Sequence, residues 1–255
     1  MKPRIKVVKS GSSLPGSDDS AYEEITLAEQ AHRMLKRDII SGALPAGQAL
    51  RLEHLKERYG ISFSPLREAL NRLHSERLVV STPSRGFRAS PFSEEEMWDV
   101  IETRIVIECE ALRRSLARGD EAWEGRLVLC FEALMLATGR RLADTSGSES
   151  ADDNQLEERH YDFHHSLISA CGSRWLLNLS EQLYAQTERY RQPSLRDGNY
   201  GDLKRDVGAE HRQLLDAAVA RDAVLAAGLL ARHYRETGRT VKRLLAMTGA
   251  ESATT

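Results

Sequence analysis

Cysteine is scarce in this chain: three residues in 255, at positions 109, 130 and 171, with no C-x-x-C pair. An odd count at these spacings argues against a disulfide framework and against a zinc ribbon. Each cysteine lies in a helical apolar pattern, where a small buried thiol is the expected role, and a reducing cytoplasm follows as the default. Long apolar runs are also missing. No stretch of about 18 consecutive apolar residues occurs, so no membrane span is expected. The opening MKPRIKVVKSGSSLPGSDDS is basic but has no apolar segment, so it does not read as a secretory signal. Residues 1–25 read as a flexible tail. No G-x-G-x-x-G, P-loop or G-x-S-x-G is present, which removes the common dinucleotide, nucleoside triphosphate and serine-hydrolase signatures.

Charge is balanced overall and uneven along the chain. Residues 1–90 hold 15 Lys and Arg against 10 Asp and Glu, whereas the remainder holds 21 against 28. A basic N-terminal part on an acidic body points to a polyanion partner for the first part only.

Helix signals begin at Thr26-Leu27-Ala28-Glu29, a capping box before apolar positions Leu27, Ala31, Leu35 and Ile39. Gly42 and Pro45 stop that helix. A short helix, LEHLKERY, ends at Gly60. Ser64-Pro65 then predicts a third helix, with serine as N-cap, proline at the first position and a buried stripe of Leu66, Ala69, Leu70 and Leu73. Two short β-prone runs follow, around Val79–Ser81 and Phe87–Ala89, split by a turn. From Ser93 onward the pattern is helical, with helices expected at 93–117, 121–143, 154–171, 174–191, 203–219 and 222–246. DTSGSESADDN (144–154) reads as a polar loop. The division is a tail at 1–25, a three-helix and hairpin module at 26–90, an antiparallel all-helical bundle at 91–248, and a short tail at 249–255.

Helix, turn YGISFS, and a helix beginning S-P-L-R-E-A-L is a helix-turn-helix arrangement, in which the second helix offers its N-terminal side to the DNA major groove. Ser64, Arg67, Asn71 and Arg72 lie outside the buried stripe, and arginine and asparagine can read guanine and adenine bidentately. Arg85 and Arg88 flank Gly86 in the hairpin, where a wing can reach phosphates or the minor groove. The plain alternative is a solvated amphipathic helix beside an idle hairpin.

The stretch from GALPAG to SRGF resembles the winged helix-turn-helix of GntR-superfamily transcriptional regulators. The pieces that carry the likeness are the lead-in around Gly42–Gly47, S-P-L-R-E-A-L at 64–70 and R-G-F at 85–87. The helical remainder resembles the FCD effector domain of the FadR branch, so the resemblance spans about residues 26–246. It implies that Arg51, Ser64, Arg67, Arg72 and Gly86 lie at a DNA interface. Phe63 departs from it, because an arginine often precedes the Ser/Thr-Pro pair in such proteins, so operator sequence does not transfer from relatives.

Four of the eight histidines share a character. His160 and His164, one turn apart, fall inside the stripe of Leu156, Phe163, Leu167 and Cys171. His211 shares its face with Val207, Leu214, Leu215 and Ala218, and His233 with Ala226, Leu230, Thr237 and Val241. A buried imidazole needs a hydrogen-bond partner or a metal. Each of the four can be satisfied by a carbonyl or carboxylate; alternatively, together they can hold one ion, since i, i+4 histidines converge above one turn. His32, His54, His74 and His165 read as surface or local contacts. Many FCD domains carry D-x-x-x-H on one helix and one histidine on each of two later helices, around a divalent cation. The resemblance therefore implies His164, His211 and His233 as ligands, with His160 where aspartate is usual. An all-imidazole set suits zinc first and nickel second, and Glu157, one turn before His160, is a candidate outer partner.

Arg104 and Glu108 fall in the apolar sector of Met97, Ile101, Ile105 and Leu112. A buried arginine must be paired. Either Arg104 bridges Glu108, or it forks onto the carboxylate of a small ligand beside the metal. The resemblance favours the second. Arg189 and Arg191 are lesser candidates, expected to be solvated.

These readings combine into a cytoplasmic, homodimeric, DNA-binding transcriptional repressor on a palindromic operator, governed by a small carboxylate bound with a divalent metal. The rivals are a metal-dependent hydrolase or lyase, and a regulator that senses metal alone. The enzyme reading suffers from having only Glu157 and Glu108 as nearby general bases.

Overall fold

The computed structural model describes residues 25–82, 86–143, 151–196 and 205–252, with backbone alone at 151–154, 193–196 and 247–252. Thr26 accepts a hydrogen bond from the Glu29 amide and starts α1 (Leu27–Ile40). The helix α2 (Leu52–Tyr59) stops at Gly60, whose φ of 68° suits a residue without a β-carbon. The next helix, α3 (Phe63–Ser75), begins two residues before the sequence predicts. Its N-cap is Ser62, with extended backbone, and Pro65 sits two positions inside. The missing proline N–H costs nothing there, because first-turn amides have no intrahelical partner.

Strands β1 (Val79–Thr82) and β2 (Gly86–Ala89) pair antiparallel, with Val79 opposite Ala89 and Thr82 opposite Gly86. The segment before α2 joins them: Ala49 bridges Arg88, and the Leu50 amide donates to the Phe87 carbonyl. Leu35, Leu66, Leu70, Leu73 and Leu78 are fully buried between α1, α3 and the strands.

The second part has only helices as its regular elements among the described residues. It comprises α4 (Glu94–Arg118), α5 (Glu121–Ala143), α6 (Ala151–Ile168), α7 (Arg174–Arg196), α8 (Val207–Val219) and α9 (Ala223–Ser252). Arg104 bonds Thr187 while Glu108 bonds Ser180, so α4 and α7 run antiparallel. Trp123, Phe131, Phe163, Leu112 and Leu127 fill the core.

Several limits differ from those the sequence suggests. Helix α6 starts at Ala151, inside the expected loop 144–154, whose first seven residues lie outside the described set. Helix α7 continues through Pro193, although proline removes one helical bond. Helix α8 starts at Val207 rather than 203, because the Asp206 carboxylate caps the Ala209 amide. Helix α9 runs into the expected tail, to Ser252. The tail at 1–24 lies outside the described residues. No described helix is long and apolar enough to cross a membrane.

Candidate metal centre and nucleic-acid interface

Helix periodicity carries four imidazoles to one place. His160 and His164 stand on α6, His211 on α8 and His233 on α9, with one ring nitrogen of each within 4.8 Å of all the others. His164, His211 and His233 are buried, and His160 is half-buried. Phe163 packs on the rings of His164 and His211 and walls the cluster from the core.

Outer partners fix which nitrogens face inward. Glu210 Oε2 lies 2.8 Å from His233 Nδ1, so that nitrogen donates its proton outward and Nε2 keeps a lone pair toward the cluster. Tyr234 gives its hydroxyl proton to Glu108, leaving its oxygen to accept from His164 Nδ1 at 3.2 Å. His164 thus also presents Nε2 inward, 3.3 Å from His211 Nε2. That spacing is close to the edge of a tetrahedron with zinc–nitrogen bonds of about 2.0–2.1 Å, which is about 3.3–3.4 Å. His160 Nδ1 is buried and has no hydrogen-bond partner, the kind of orphan a ligand would satisfy. Burial, followed by neighbouring positive groups, pushes His160, His164 and His211 well below the usual histidine range. Burial also lowers His233, against the raising effect of its Glu210 bond. Neutral imidazoles are the metal-binding form. The residues present fit a divalent ion.

The Glu157 carboxylate comes within 4.8 Å of a ring nitrogen of His160, as does that of Glu188. Glu157 pairs with Arg191, which also holds Glu188 through Nε and Nη2. Burial first, then the charge of Glu188, raises the Glu157 carboxyl to about 7 against the pull of Arg191. Glu210 and Tyr234 take an outer role, and no spacing rule reveals them: each reaches across to a histidine on another helix.

Beside the cluster opens a small cleft, with Met97, Ile101 and Val241 on its apolar side and Arg104, Glu188, Arg191, His160 and His233 on its polar side. Both sequence accounts of Arg104 have a counterpart. Its Nε donates to Glu108 at 2.7 Å, and its guanidinium, held between the rings of Tyr184 and Tyr234, lines the cleft.

Arg189 must be corrected. It is buried rather than solvated and lies away from the cleft, donating to the carbonyls of Ser90 and Pro91 and to Glu96. It clasps the segment joining the two parts of the chain. Arg191, also expected to be solvated, is buried and lines the cleft. His32 is likewise buried, bonded to Glu76 at 2.6 Å. His74 meets the Val79 carbonyl, His165 stacks on Tyr161, and His54 is exposed.

In the N-terminal part, Arg51, Ser64, Arg67, Asn71 and Arg72 are exposed at the start of α2 and along α3. Arg72 is held by Glu29 at 2.5 Å, on α1. Gly86 has φ of 75°, the left-handed conformation that lets the hairpin close without strain. Arg88 donates to the Gly47 carbonyl and so braces the hairpin. Arg85 lies outside the described residues.

The geometry has counterparts. Residues 27–88 match the family described as bacterial regulatory proteins, gntR family, and residues 99–236 match the FCD domain. The chain is 39% identical over 218 residues to the HTH-type transcriptional regulator BphR of Paraburkholderia xenovorans (strain LB400), covering 86% of each chain. It is 34% identical over 206 residues to the HTH-type transcriptional repressor GlaR of Escherichia coli (strain K12), covering 79% of this chain and 90% of that one. Among solved structures, E. coli McbR/YncC shares the fold with a TM-score of 0.69 at 22% identity, over 86% of this chain and 98% of that chain. These families and relatives are transcriptional regulators, not enzymes, which removes the hydrolase and lyase reading. The chain belongs to the GntR family of DNA-binding transcriptional regulators, in the group that carries an FCD domain behind the winged helix-turn-helix.

Proposed function

We propose that this regulator is a metal-dependent repressor whose hold on its operator is set by a small organic acid. The observation that carries the reading is the convergence of four neutral imidazoles, two of them turned lone-pair inward by Glu210 and Tyr234, beside a cleft walled by Arg104 and Arg191. Such donors favour zinc, with nickel second. The ion would supply a Lewis-acidic point for one carboxylate oxygen. Arg104 and Arg191 would supply charge for the rest of the ligand, which favours a short dicarboxylate. The named repressor activity of GlaR supports the sign of regulation.

DNA binding in this reading uses α3 in the major groove, with Arg51, Ser64, Arg67, Asn71 and Arg72 facing the duplex and the hairpin at Gly86 beside it. A homodimer on a palindromic operator matches that geometry, since two recognition helices need two half-sites. Helix α7 is the connection between ligand and DNA. Thr187, Glu188 and Arg191 line the cleft, while Ala185 joins the core of the winged part and Gln186 bonds Glu76. A ligand that shifts α7 changes where the two winged parts stand.

The test is operator affinity by fluorescence anisotropy at one fixed salt concentration, with metal-loaded and metal-stripped protein, across short mono- and dicarboxylates. Release by one acid, only in the metal-loaded protein, is the expected result. Release by metal alone would establish a metal sensor instead, and indifference to every acid in both forms would overturn the effector reading.

A further inference from the structure

Phe63 is the first residue of α3 and is 42% exposed. Of Tyr59, Phe63 and Phe87, the aromatic residues around the helix-turn-helix, it alone is exposed. Helical spacing sets Phe63, Arg67 and Asn71 in one row at i, i+4 and i+8. The other exposed residues of the first turns, Ser64, Arg67 and Glu68, are polar or charged. The Lys56 ammonium of α2 lies 5.1 Å from the centre of the Phe63 ring and steadies it. The exposed part of the ring is therefore available for contact at the N-terminal end of α3, in the row of Arg67 and Asn71.

We infer that Phe63 is a base-reading residue that packs on the C5-methyl group of a thymine in each operator half-site. The inference rests on the reading of α3 as the helix that enters the major groove. N-terminal residues of such a helix reach the base edges. A phenyl ring has neither donor nor acceptor, and the apolar feature that base edges present in the major groove is the thymine methyl. Arg67, one turn further on, then addresses the neighbouring base pair, and Lys56 is left beside the backbone to meet a phosphate. The arrangement specifies thymine by shape at a step where a hydrogen-bonding side chain would specify guanine or adenine.

The experiment uses the full-length protein and an operator that it selects from a random duplex library. Each thymine is then replaced singly by deoxyuridine, which removes only the methyl, and affinity is read by anisotropy at constant salt. One thymine per half-site should weaken binding about fourfold on losing its methyl, the equivalent of one buried methylene. Phe63→Ala should bind more weakly and lose that methyl dependence, while its response to base changes elsewhere is retained. Phe63→Leu, which keeps an apolar group, should preserve part of it. 5-Methylcytosine at the same place should bind better than cytosine to wild type and not to Phe63→Ala. Equal affinity of wild type for every deoxyuridine operator would overturn the inference, as would the same methyl dependence in Phe63→Ala. Failure to select any duplex would instead overturn the groove reading itself, and this contact with it.

Discussion

Gln186 on α7 donates a 2.6 Å hydrogen bond to the backbone carbonyl of Glu76, the residue that caps the C-terminal end of α3. The helix that contributes Thr187, Glu188 and Arg191 to the ligand cleft therefore holds the end of the recognition helix directly. In the proposed reading, a ligand that displaces α7 acts on the C-terminal end of α3 through this one contact.

Replacing Gln186 by leucine removes that bond, and with it the one that Gln186 Oε1 accepts from Arg189 Nε, with little change in volume. Ligand and metal binding should persist, since Gln186 touches neither the cleft nor the histidines. Coupling between ligand and operator, typically about 1–3 kcal/mol in such systems, should fall by more than half. Operator affinity measured with and without ligand checks this, and unchanged coupling would mean that the signal takes another path.

Glu210 and Tyr234 bond His233 and His164 at the ring nitrogens turned away from the cluster, and in the proposed reading they orient the metal ligands. Glu210→Gln and Tyr234→Phe should each keep the fold and weaken metal affinity by about 10–100-fold, as outer partners of this kind do. Competition against a chelator of known affinity measures it. Affinity equal to wild type in both variants would show that histidine orientation is set by packing alone.

Glu76 also ties α3 to α1, through His32 and Lys36. Burial opposes its ionisation, but the bonds from His32 and Lys36 and their charge outweigh this and hold its carboxyl at about 2. Because the folded value is depressed, this stabilisation is present above the unfolded value, near 4.5, and is lost as pH falls toward 2. Glu76→Gln should destabilise the winged part by about 2 kcal/mol at neutral pH, and should flatten the decline in stability between pH 5 and 3. Thermal melts across that range decide it, and a decline as steep as wild type would assign the acid sensitivity to other groups.

Arg67 and Arg72 should behave differently at the operator. Arg67 is exposed in the second turn of α3, so Arg67→Ala should cost about 1–3 kcal/mol and relax base preference at one position. Arg72 lies one turn on, already held by Glu29. Arg72→Ala should weaken all sequences alike and lower the salt slope by about one phosphate. Glu29→Gln, which releases Arg72, should strengthen binding to all of them. A loss of base preference in Arg72→Ala would reverse the assignment.

The helix order and the four-histidine set were legible because both follow from periodicity. Phe163 and Leu167 mark a stripe, and the histidines within it point where the stripe points. Arg189 and Arg191 were misread because ERYRQP looks like a solvated charge run. In the fold α7 is covered on more than one side, by α4, α9 and the winged part, so both guanidiniums are buried and matched to Ser90, Pro91, Glu96, Glu157 and Glu188. Periodicity along one helix does not report how many neighbours it has. Glu210 and Tyr234 escaped for a related reason: pairing between helices leaves no mark on spacing within either. Ser64-Pro65 misplaced the start of α3 by two residues, since Ser62 is the same residue type with extended backbone, its side chain making no capping bond, and proline is tolerated within the first turn.

The most direct test is the metal content of purified wild type beside His164→Ala, by elemental analysis after exhaustive dialysis. The four-imidazole account predicts about one divalent ion per chain in wild type, zinc before nickel, and almost none in the variant. Metal absent from both, or equal in both, would contradict it and leave the four histidines as a packed cluster with no ion to hold.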